Sequence, residues 1–455
     1  MLNHMGTTTS NLVTRVDSLM EQAKKDLTEL VAHRSVFESP QLRAECAASA
    51  QWVAAAFGEA GVDCQVRETS DGSLAVIGHR PGAAGAPTVT LYAHHDVQPA
   101  GPLDLWHSDP FTLTDRDGRW FGRGAADCKG NVIAHLTALR ALHSDLDCGL
   151  RVVIEGSEEA GGEGLEDLVR AEPGLFDSDM IIIGDTGNVA AGTPTLTTSL
   201  RGVANVRVRV DTLESAVHSG QYGGAAPDAL AALIALLATL RDAQGNTTID
   251  GVEANRTWTG APYAQAQFRS DATILDGVDI IGSGEVADMV WARPAITVIA
   301  LDAPATDDAV AAVRPVASAV LNLRVPPGED PAALQQALVA HLHAHVPWNA
   351  KITVTAEATG SPFSAATDGP MYAHLMSAMS QAYGAEVVFS GQGGSIPLCS
   401  ALAQASPRAE IALLGVEEPR CRIHAPNESV DPDEIRRTAL SEAAFLLALS
   451  AGADS

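Results

Sequence analysis

The chain of 455 residues exceeds what one hydrophobic core usually organises, so two structural units are expected. Apolar residues make up 46% of it and charged residues 19%, which excludes a largely disordered protein. A formal net charge of -27 would repel phosphate backbones and anionic lipid headgroups, which argues against nucleic acid or a membrane surface as a partner.

The first 200 residues alternate helical and strand patterns, which is typical of an α/β layer on a largely parallel sheet. Helices are predicted at 12–32, 40–60 and 126–143. Short β-branched or aliphatic runs predict strands at 88–93, 150–155 and 180–184.

The pattern changes after Arg201. Residues 203–210 approximate the two-residue alternation of a half-exposed strand, and further strands are predicted at 295–302, 317–325 and 350–356. Helices are predicted at 227–242 and 331–345, whereas 245–293 show no clear periodicity. This segment is expected to be an inserted α+β domain with an antiparallel sheet and helices on one face.

Helix and strand alternate again after Gly360, with helices predicted at 370–383 and 432–449 and strands near Val387 and Ile411. The simplest interpretation is a discontinuous α/β domain, 1–200 and 359–455, with a mixed, largely parallel sheet. An α+β domain, 201–358, interrupts it.

The expected location is the cytoplasm. No cationic start followed by an apolar core and a cleavage site opens the sequence. The longest apolar helical run, 225–240, carries Asp228 and is shorter than a bilayer span. The six cysteines form no CxxC pair and are predicted to be reduced thiols.

Metal-competent side chains follow the predicted strands at their carboxyl ends, where open α/β sheets bind ligands. These side chains include His94, Asp96, Glu158, Glu159, Asp185 and His424. Asp127, at the start of the helix predicted at 126–143, can join them. Each polar cluster taken alone would also fit a solvated turn, but together they could form one metal-binding cleft.

Strand geometry suggests roles within two of these clusters. Residues two apart share a face, so Asp96 can bind the far ring nitrogen of His94 and fix its tautomer, while His95 points away. The consecutive carboxylates of Glu158 and Glu159 diverge, so that one can bind a metal and the other can reach its water. A cation would also relieve their mutual repulsion.

Six segments together resemble the M20 metallopeptidase family, especially its carnosinase-like dipeptidase branch. They follow the family's order and spread over most of the chain: 92–100 (YAHHDVQPA), 122–130 (GRGAADCKG), 155–161 (EGSEEAG), 217–220 (VHSG), 393–397 (GGSIP) and 424–428 (HAPNE).

The resemblance implies a site for two divalent metal ions, with zinc expected first and manganese or cobalt as alternatives. Asp127 would bridge both ions. The remaining ligands would be His94 and Asp185 for one ion, and Glu159 and His424 for the other.

The resemblance also implies a general base, Glu158, and a support for the first metal-binding histidine, Asp96. In addition, family members carry a cis peptide bond after the bridging aspartate, which here would be Asp127–Cys128.

In the inserted domain, His218 resembles the lid histidine that stabilises the oxyanion in the active site of the other subunit, which implies a homodimer formed through this lid domain. Arg324 resembles the arginine that binds the substrate's carboxylate. Gly393, Gly394 and Ser395 resemble the loop that contacts the substrate backbone near its C-terminal end.

The implied function is hydrolysis of the amide bond of dipeptides or small peptide-like substrates by a metal-activated water. An N-acyl amino acid deacylase or desuccinylase of the same fold would use the same chemistry. A catalytically silent binding protein is disfavoured, because Glu158 and every proposed ligand position carry competent residues.

Overall fold

The computed structural model describes residues 2–142, 145–394 and 396–451, which form a mixed α/β fold, as predicted. Two compact units make it up. The first contains 1–198, 365–390 and 397–455, and the second contains 199–364 and 391–396.

The first unit is built on a mixed sheet. Its strands lie in the order Asp63–Glu68, Leu74–Arg80, Gly149–Glu155, Thr88–His94, Met180–Gly184, Glu410–Leu414 and Thr195–Leu200, and Val388–Gln392 pairs with the last of these. The four strands from Gly149–Glu155 to Glu410–Leu414 pair in parallel, whereas the pairs of Asp63–Glu68 with Leu74–Arg80, of Leu74–Arg80 with Gly149–Glu155 and of Glu410–Leu414 with Thr195–Leu200 are antiparallel. A small separate sheet contains Thr114–Arg116, Arg119–Phe121 and Ser429–Val430.

The long helices of the first unit pack on one another over this sheet. Its helices are Leu2–Ala32, Arg43–Glu59, Lys129–Leu142, Glu163–Ala171, Pro370–Tyr383, Pro397–Ala405 and Pro432–Ala451. Lys129–Leu142 contacts both terminal helices and is buried along its whole length except at Arg140. Burial on all sides explains why its sequence lacks a polar stripe.

The helix predicted at 126–143 begins later than expected, at Lys129, and its predicted last residue, His143, lies outside the described residues. Asp127 and Cys128 lie in a turn before it, and their peptide bond is cis, as the family resemblance implied. The sequence patterns had not identified the strands Asp63–Glu68, Leu74–Arg80 and Thr195–Leu200 or the helices Glu163–Ala171 and Pro397–Ala405.

The second unit contains an antiparallel sheet with strands in the order Ala295–Leu301, Val316–Val325, Gly202–Asp211 and Lys351–Gly360. Ala204, Val206, Val208 and Val210 alternate with more exposed residues and face the core. The helices Ala229–Ala238 and Pro331–His345 pack against this sheet.

The shorter elements of the second unit are the strands Val217–His218, Ala312–Val313 and Phe363–Ser364 and the helices Ser219–Tyr222 and Gln265–Asp271, with a π-helical turn at Asp288–Ala292. The segment 245–293, which showed no periodicity, has little other regular structure. Among the described residues, none of the helices combines the length and apolar character required to cross a bilayer.

Candidate metal centre

Parallel strands of the main sheet end at the same edge, and polar side chains follow them. Thr88–His94 lies between Gly149–Glu155 and Met180–Gly184 and runs parallel to both. His94 ends its strand, and Asp185 directly follows Met180–Gly184. Because parallel strands point their carboxyl ends the same way, the two side chains meet: His94 Nε2 lies 3.2 Å from Asp185 Oδ1.

Asp127 lies at the centre of this cluster. Its Oδ1 is 3.0 Å from Nε2 of His94, and its Oδ2 is 2.9 Å from Nε2 of His424. The same nitrogen of His424 is 3.1 Å from Oε2 of Glu159. The two oxygens of the Asp127 carboxylate therefore face two different groups of potential ligands.

Glu428 fixes the loop that carries Asp127. Its Oε1 accepts the backbone amides of Ala126 at 3.1 Å and Asp127 at 3.2 Å. Its Oε2 accepts the amide of Gly124 at 3.0 Å and Nη1 of Arg123 at 2.6 Å. Both partners of this ion pair are buried, so water does not compete for it, and the loop is held firmly in place.

Asp96 connects His94 to the acidic turn that follows Gly149–Glu155. Nδ1 of His94 is 3.3 Å from Oδ1 of Asp96 and 3.1 Å from its backbone oxygen. The same carboxylate accepts the backbone amides of Glu158 at 3.2 Å and Glu159 at 3.1 Å. A histidine whose Nδ1 is bound in this way presents Nε2 as its metal-binding nitrogen.

Glu158 and Glu159 direct their carboxylates to different partners. Oε2 of Glu158 lies 4.0 Å from Nε2 of His94, whereas Oε2 of Glu159 lies 3.1 Å from Nε2 of His424. The turn that carries both ends at Gly161, whose φ of 106° is left-handed and favours glycine. The two neighbouring carboxylates can therefore have different roles.

Crowded acidic groups shift the pKa values of this cluster. Burial raises the pKa of Asp185 to about 6, and burial together with the Asp185 charge raises the pKa of Glu158 well above its ordinary value. Hydrogen bonds to Asp127 and Glu159 raise the pKa of His424 to about 10. Protons thus offset the excess negative charge, and divalent cations would displace them.

Glu417 also belongs to the cluster, although it was not predicted from the sequence. One of its oxygens lies within 4.8 Å of ligand atoms of Asp127 and Asp185. It is buried, and burial together with the charges of these two residues raises its pKa well above the ordinary value. Glu417 closely follows the strand Glu410–Leu414, so the carboxyl-end rule could have identified it.

Two other potential donors near His94 have different partners. Nε2 of His95 bonds to the backbone oxygen of Leu74 at 2.8 Å, consistent with the prediction that His95 points away. Sγ of Cys128 donates to the backbone oxygen of Gly184 at 2.9 Å, and burial raises the pKa of this thiol far above its ordinary value. The thiol of Cys128 is thus already engaged by the Gly184 oxygen, which makes it a poorer candidate ligand than the carboxylates.

The remaining donors suit divalent transition metals. Besides Glu158 and Glu417, the cluster holds two imidazoles and three carboxylates, which offer the nitrogen and oxygen ligands that zinc binds in proteins. They are His94, Asp127, Glu159, Asp185 and His424. The cluster therefore fits divalent metal ions.

His218, predicted from the sequence to lie in the lid, belongs to the second unit and is exposed. Its Nδ1 accepts the backbone amide of Gly220 at 3.1 Å. In the neutral imidazole the proton is then on Nε2, so this side chain can donate a hydrogen bond.

The predicted substrate-binding residues also belong to the second unit. Arg324 lies half-buried in the strand Val316–Val325. Gly393 and Gly394 form a bend just after the strand Val388–Gln392. Ser395 lies outside the described residues.

The sequence matches a family model described as Peptidase family M20/M25/M40 over residues 90–448. It is 48% identical over 433 residues to the cysteinylglycine-S-conjugate dipeptidase of Corynebacterium striatum, which covers 94% of this chain and 95% of that protein. It is 29% identical over 403 residues to the Beta-Ala-His dipeptidase of Rattus norvegicus, which covers 83% of this chain and 79% of that protein.

The fold is similar to two solved structures of low sequence identity. Human carnosine dipeptidase 1 has a TM-score of 0.81 at 23% identity, with 97% of this chain and 99% of that chain covered. Dug1p from Saccharomyces cerevisiae has a TM-score of 0.80 at 20% identity, with 97% and 98% covered.

Proposed function

Because the chain belongs to peptidase family M20/M25/M40 and is a metallodipeptidase, we propose that it hydrolyses cysteinylglycine and its S-substituted conjugates. The contacts of Asp127 with His94 and with His424 support the two-metal chemistry most directly. The substrate class is supported by the 48% identity to a cysteinylglycine-S-conjugate dipeptidase over nearly the whole of both chains.

The metal ligands that we propose are His94 and Asp185 for one ion, Glu159 and His424 for the other, and Asp127 for both. Zinc fits this mixture of imidazole and carboxylate donors, and manganese and cobalt are the alternatives. When bound, the two ions supply Lewis acidity that polarises the scissile carbonyl and acidifies water.

Glu158 is the proposed general base. Its carboxylate lies beside the ligands, and burial together with the Asp185 charge raises its pKa, which makes it a stronger base. It takes the proton of the attacking water and passes it to the leaving amine. Asp96 keeps His94 oriented and holds the backbone of the turn that carries Glu158.

Binding of the substrate is assigned to the second unit. Arg324 binds the C-terminal carboxylate, and the loop at Gly393, Gly394 and Ser395 contacts the substrate backbone. His218 donates from Nε2 to the developing oxyanion in the active site of the other subunit, a role that its Gly220 hydrogen bond supports.

A homodimer is part of this proposal, with 1–200 and 359–455 as the catalytic domain and 201–358 as the lid and dimerisation domain. Ala295–Leu301 is an edge strand of the lid sheet, and it exposes Val298 (43%), Ile299 (56%) and Leu301 (45%). An apolar edge strand of this kind favours pairing with a second copy.

A reducing compartment, the cytoplasm, is the proposed location. All six cysteines are free thiols, and Cys46, Cys128, Cys148, Cys399 and Cys421 are buried. Free buried thiols are typical of proteins that function where disulfides do not form.

The test is a hydrolysis panel on the zinc-loaded protein: cysteinylglycine, an S-benzyl conjugate of it, β-alanylhistidine, N-acetylcysteine and N-succinylcysteine. We expect the highest kcat/KM for the first two substrates. Faster cleavage of the acylated amino acids would instead identify a deacylase, and faster cleavage of β-alanylhistidine would refute the proposed substrate class.

A further inference from the structure

Arg201 is a buried arginine without an acidic partner. It joins the strands Thr195–Leu200 and Gly202–Asp211, and only 9% of it is exposed. Among the described residues its Nε has no hydrogen-bond partner, and Nη1 makes one long contact, 3.5 Å, with the backbone oxygen of Met289. No carboxylate in the described part of the chain contributes to its electrostatic environment.

Two other buried arginines of this protein are paired. Nη1 of Arg119 lies 2.6 Å from Oε1 of Glu418, and Nη1 of Arg123 lies 2.6 Å from Oε2 of Glu428. A buried guanidinium without such a partner is strongly unfavourable, so Arg201 needs a counter-charge that these side chains do not supply.

A second cation lies near Arg201 and increases this need. Burial, followed by the positive charge of Arg324, lowers the pKa of Arg201 to about 10. Arg324 lies opposite Val203 in the sheet, and it too forms no ion pair with the described acidic residues. Two neighbouring guanidinium groups with no carboxylate between them are suited to binding an anionic ligand.

The glycine loop approaches Arg201 closely. The amide of Arg201 donates to the backbone oxygen of Gln392 at 3.2 Å. A Cβ on Gly393 would lie only 2.8 Å from Nη2 of Arg201, so a larger residue here would displace the guanidinium. Gly393 thus leaves room for Arg201 in the loop already proposed to contact the C-terminal end of the substrate.

The guanidinium of Arg201 also borders open space. It lines a cavity of about 350 Å³ within the second unit. Other lining residues are mostly apolar and include Phe268, Ile274, Val286, Met289 and Val290. A ligand group can therefore reach Arg201 without unfolding of the surrounding structure.

We propose that Arg201 and Arg324 together bind the C-terminal carboxylate of the dipeptide substrate, and that Gly393 makes room for the Arg201 side chain. This inference rests on the proposed dipeptidase function. A carboxylate has two oxygens that can accept hydrogen bonds from both planar guanidinium groups, and its charge compensates the buried cation.

The test compares kcat/KM for cysteinylglycine and for cysteinylglycinamide, which lacks the carboxylate. In Arg201→Gln we expect kcat/KM for the free acid to fall about 100-fold, mainly through KM, because one partner of a buried charge pair is removed. The value for the amide should hardly change. Arg201→Lys, which keeps the charge, should recover part of the preference for the acid.

Arg241→Gln is the matched control. Arg241 lines the same cavity, but its guanidinium donates to the backbone oxygens of Gly245 at 2.9 Å and Ile296 at 2.6 Å. Its replacement should leave the acid-to-amide ratio at the wild-type value. Thermal unfolding of each variant shows whether the fold is retained.

A parallel loss of activity on both substrates, or an unchanged acid-to-amide ratio, would show that Arg201 is structural and would overturn the proposal. Calorimetric binding of glycine and glycinamide measures the same preference without turnover. It therefore tests the subsite even if neither dipeptide is cleaved, an outcome that would refute the dipeptidase function instead. Octanoate, an anion with an apolar chain, is measured as well. If Arg201→Gln binds octanoate more weakly than the wild type but binds glycine equally well, the site serves a separate anion and the proposal is wrong.

Discussion

Nε2 of His424 lies 2.9 Å from Oδ2 of Asp127, a contact that connects the last sequence motif to the loop before Lys129–Leu142. The backbone φ of His424 is 60°, a left-handed value that costs about 1–3 kcal/mol in a residue other than glycine. The surrounding structure therefore holds His424 in an unfavourable conformation. Such strain is expected where function requires the side chain in one place.

Replacement of Glu158 by glutamine should lower kcat about a thousandfold, because the variant cannot accept a proton from water. Metal content, measured by mass spectrometry, should stay at the wild-type value, since Glu158 is not a proposed ligand. Glu163→Gln, at an exposed position of the next helix, is the control and should remain active. A Glu158→Gln enzyme with wild-type turnover would exclude Glu158 as the base.

Subunits that carry His218→Ala and subunits that carry Glu158→Ala should complement each other. Each homodimer is expected to be inactive, whereas a purified heterodimer has one site with both an intact Glu158 and an intact His218 from the other subunit. Activity of the heterodimer on cysteinylglycine is the measurement. An inactive heterodimer of verified composition would show that His218 does not act across the interface.

A charge on the exposed edge of the lid sheet should prevent dimerisation. Ile299→Lys places an ammonium group in the proposed interface, where it would lose its hydration, so the variant is expected to sediment as a monomer. Val66→Lys is a control on another edge strand, Asp63–Glu68, and should leave the dimer intact. Sedimentation of Ile299→Lys as a dimer would contradict the proposed interface.

The buried pair of His135 and Glu442 should make stability depend on pH. Nδ1 of His135 lies 2.8 Å from Oε2 of Glu442. Burial opposes protonation of His135, but the Glu442 charge and hydrogen bond raise its pKa above the ordinary value of 6.5. The stabilisation is therefore complete below about pH 6.5 and is lost as the pH rises through the raised pKa of the folded state.

His135→Gln should accordingly lower the free energy of unfolding by about 3 kcal/mol at pH 6 and by less at pH 9. Urea unfolding at the two pH values measures the difference. The exposed His374→Gln is the control and should change stability little at either pH. An equal loss for His135→Gln at both pH values would show that its charge contributes nothing.

Local patterns predicted the parts of the fold in which burial alternates or persists along the chain. The buried strands at 88–93 and 180–184 were confirmed because both faces are covered, which gives unbroken apolar runs. The strand Asp63–Glu68 was missed because it lies at a sheet edge and is largely exposed. The assignment of 391–396 to the second unit depends on contacts distant in sequence, which no local pattern reveals.

The candidate site could be predicted where residues lie at the carboxyl ends of parallel strands, because these ends meet at one edge of the sheet. His94 and Asp185 lie at the ends of two such strands and are in contact. Asp127 comes from a loop, so only the family resemblance gave it a central position. Arg201 could not be predicted as a binding residue, because the sequence shows neither that its side chain is buried nor that it lacks a partner among the described residues.

The central claim is that two metal ions share Asp127 and that catalysis depends on both. Its most direct test is zinc titration of the chelator-stripped enzyme, with metal content and hydrolysis of cysteinylglycine measured together, beside Asp127→Ala. We predict that activity rises to its maximum at two zinc ions per chain and that Asp127→Ala neither retains zinc nor hydrolyses the substrate. Wild-type activity in the metal-free enzyme, or a maximum at one ion per chain, would contradict this account.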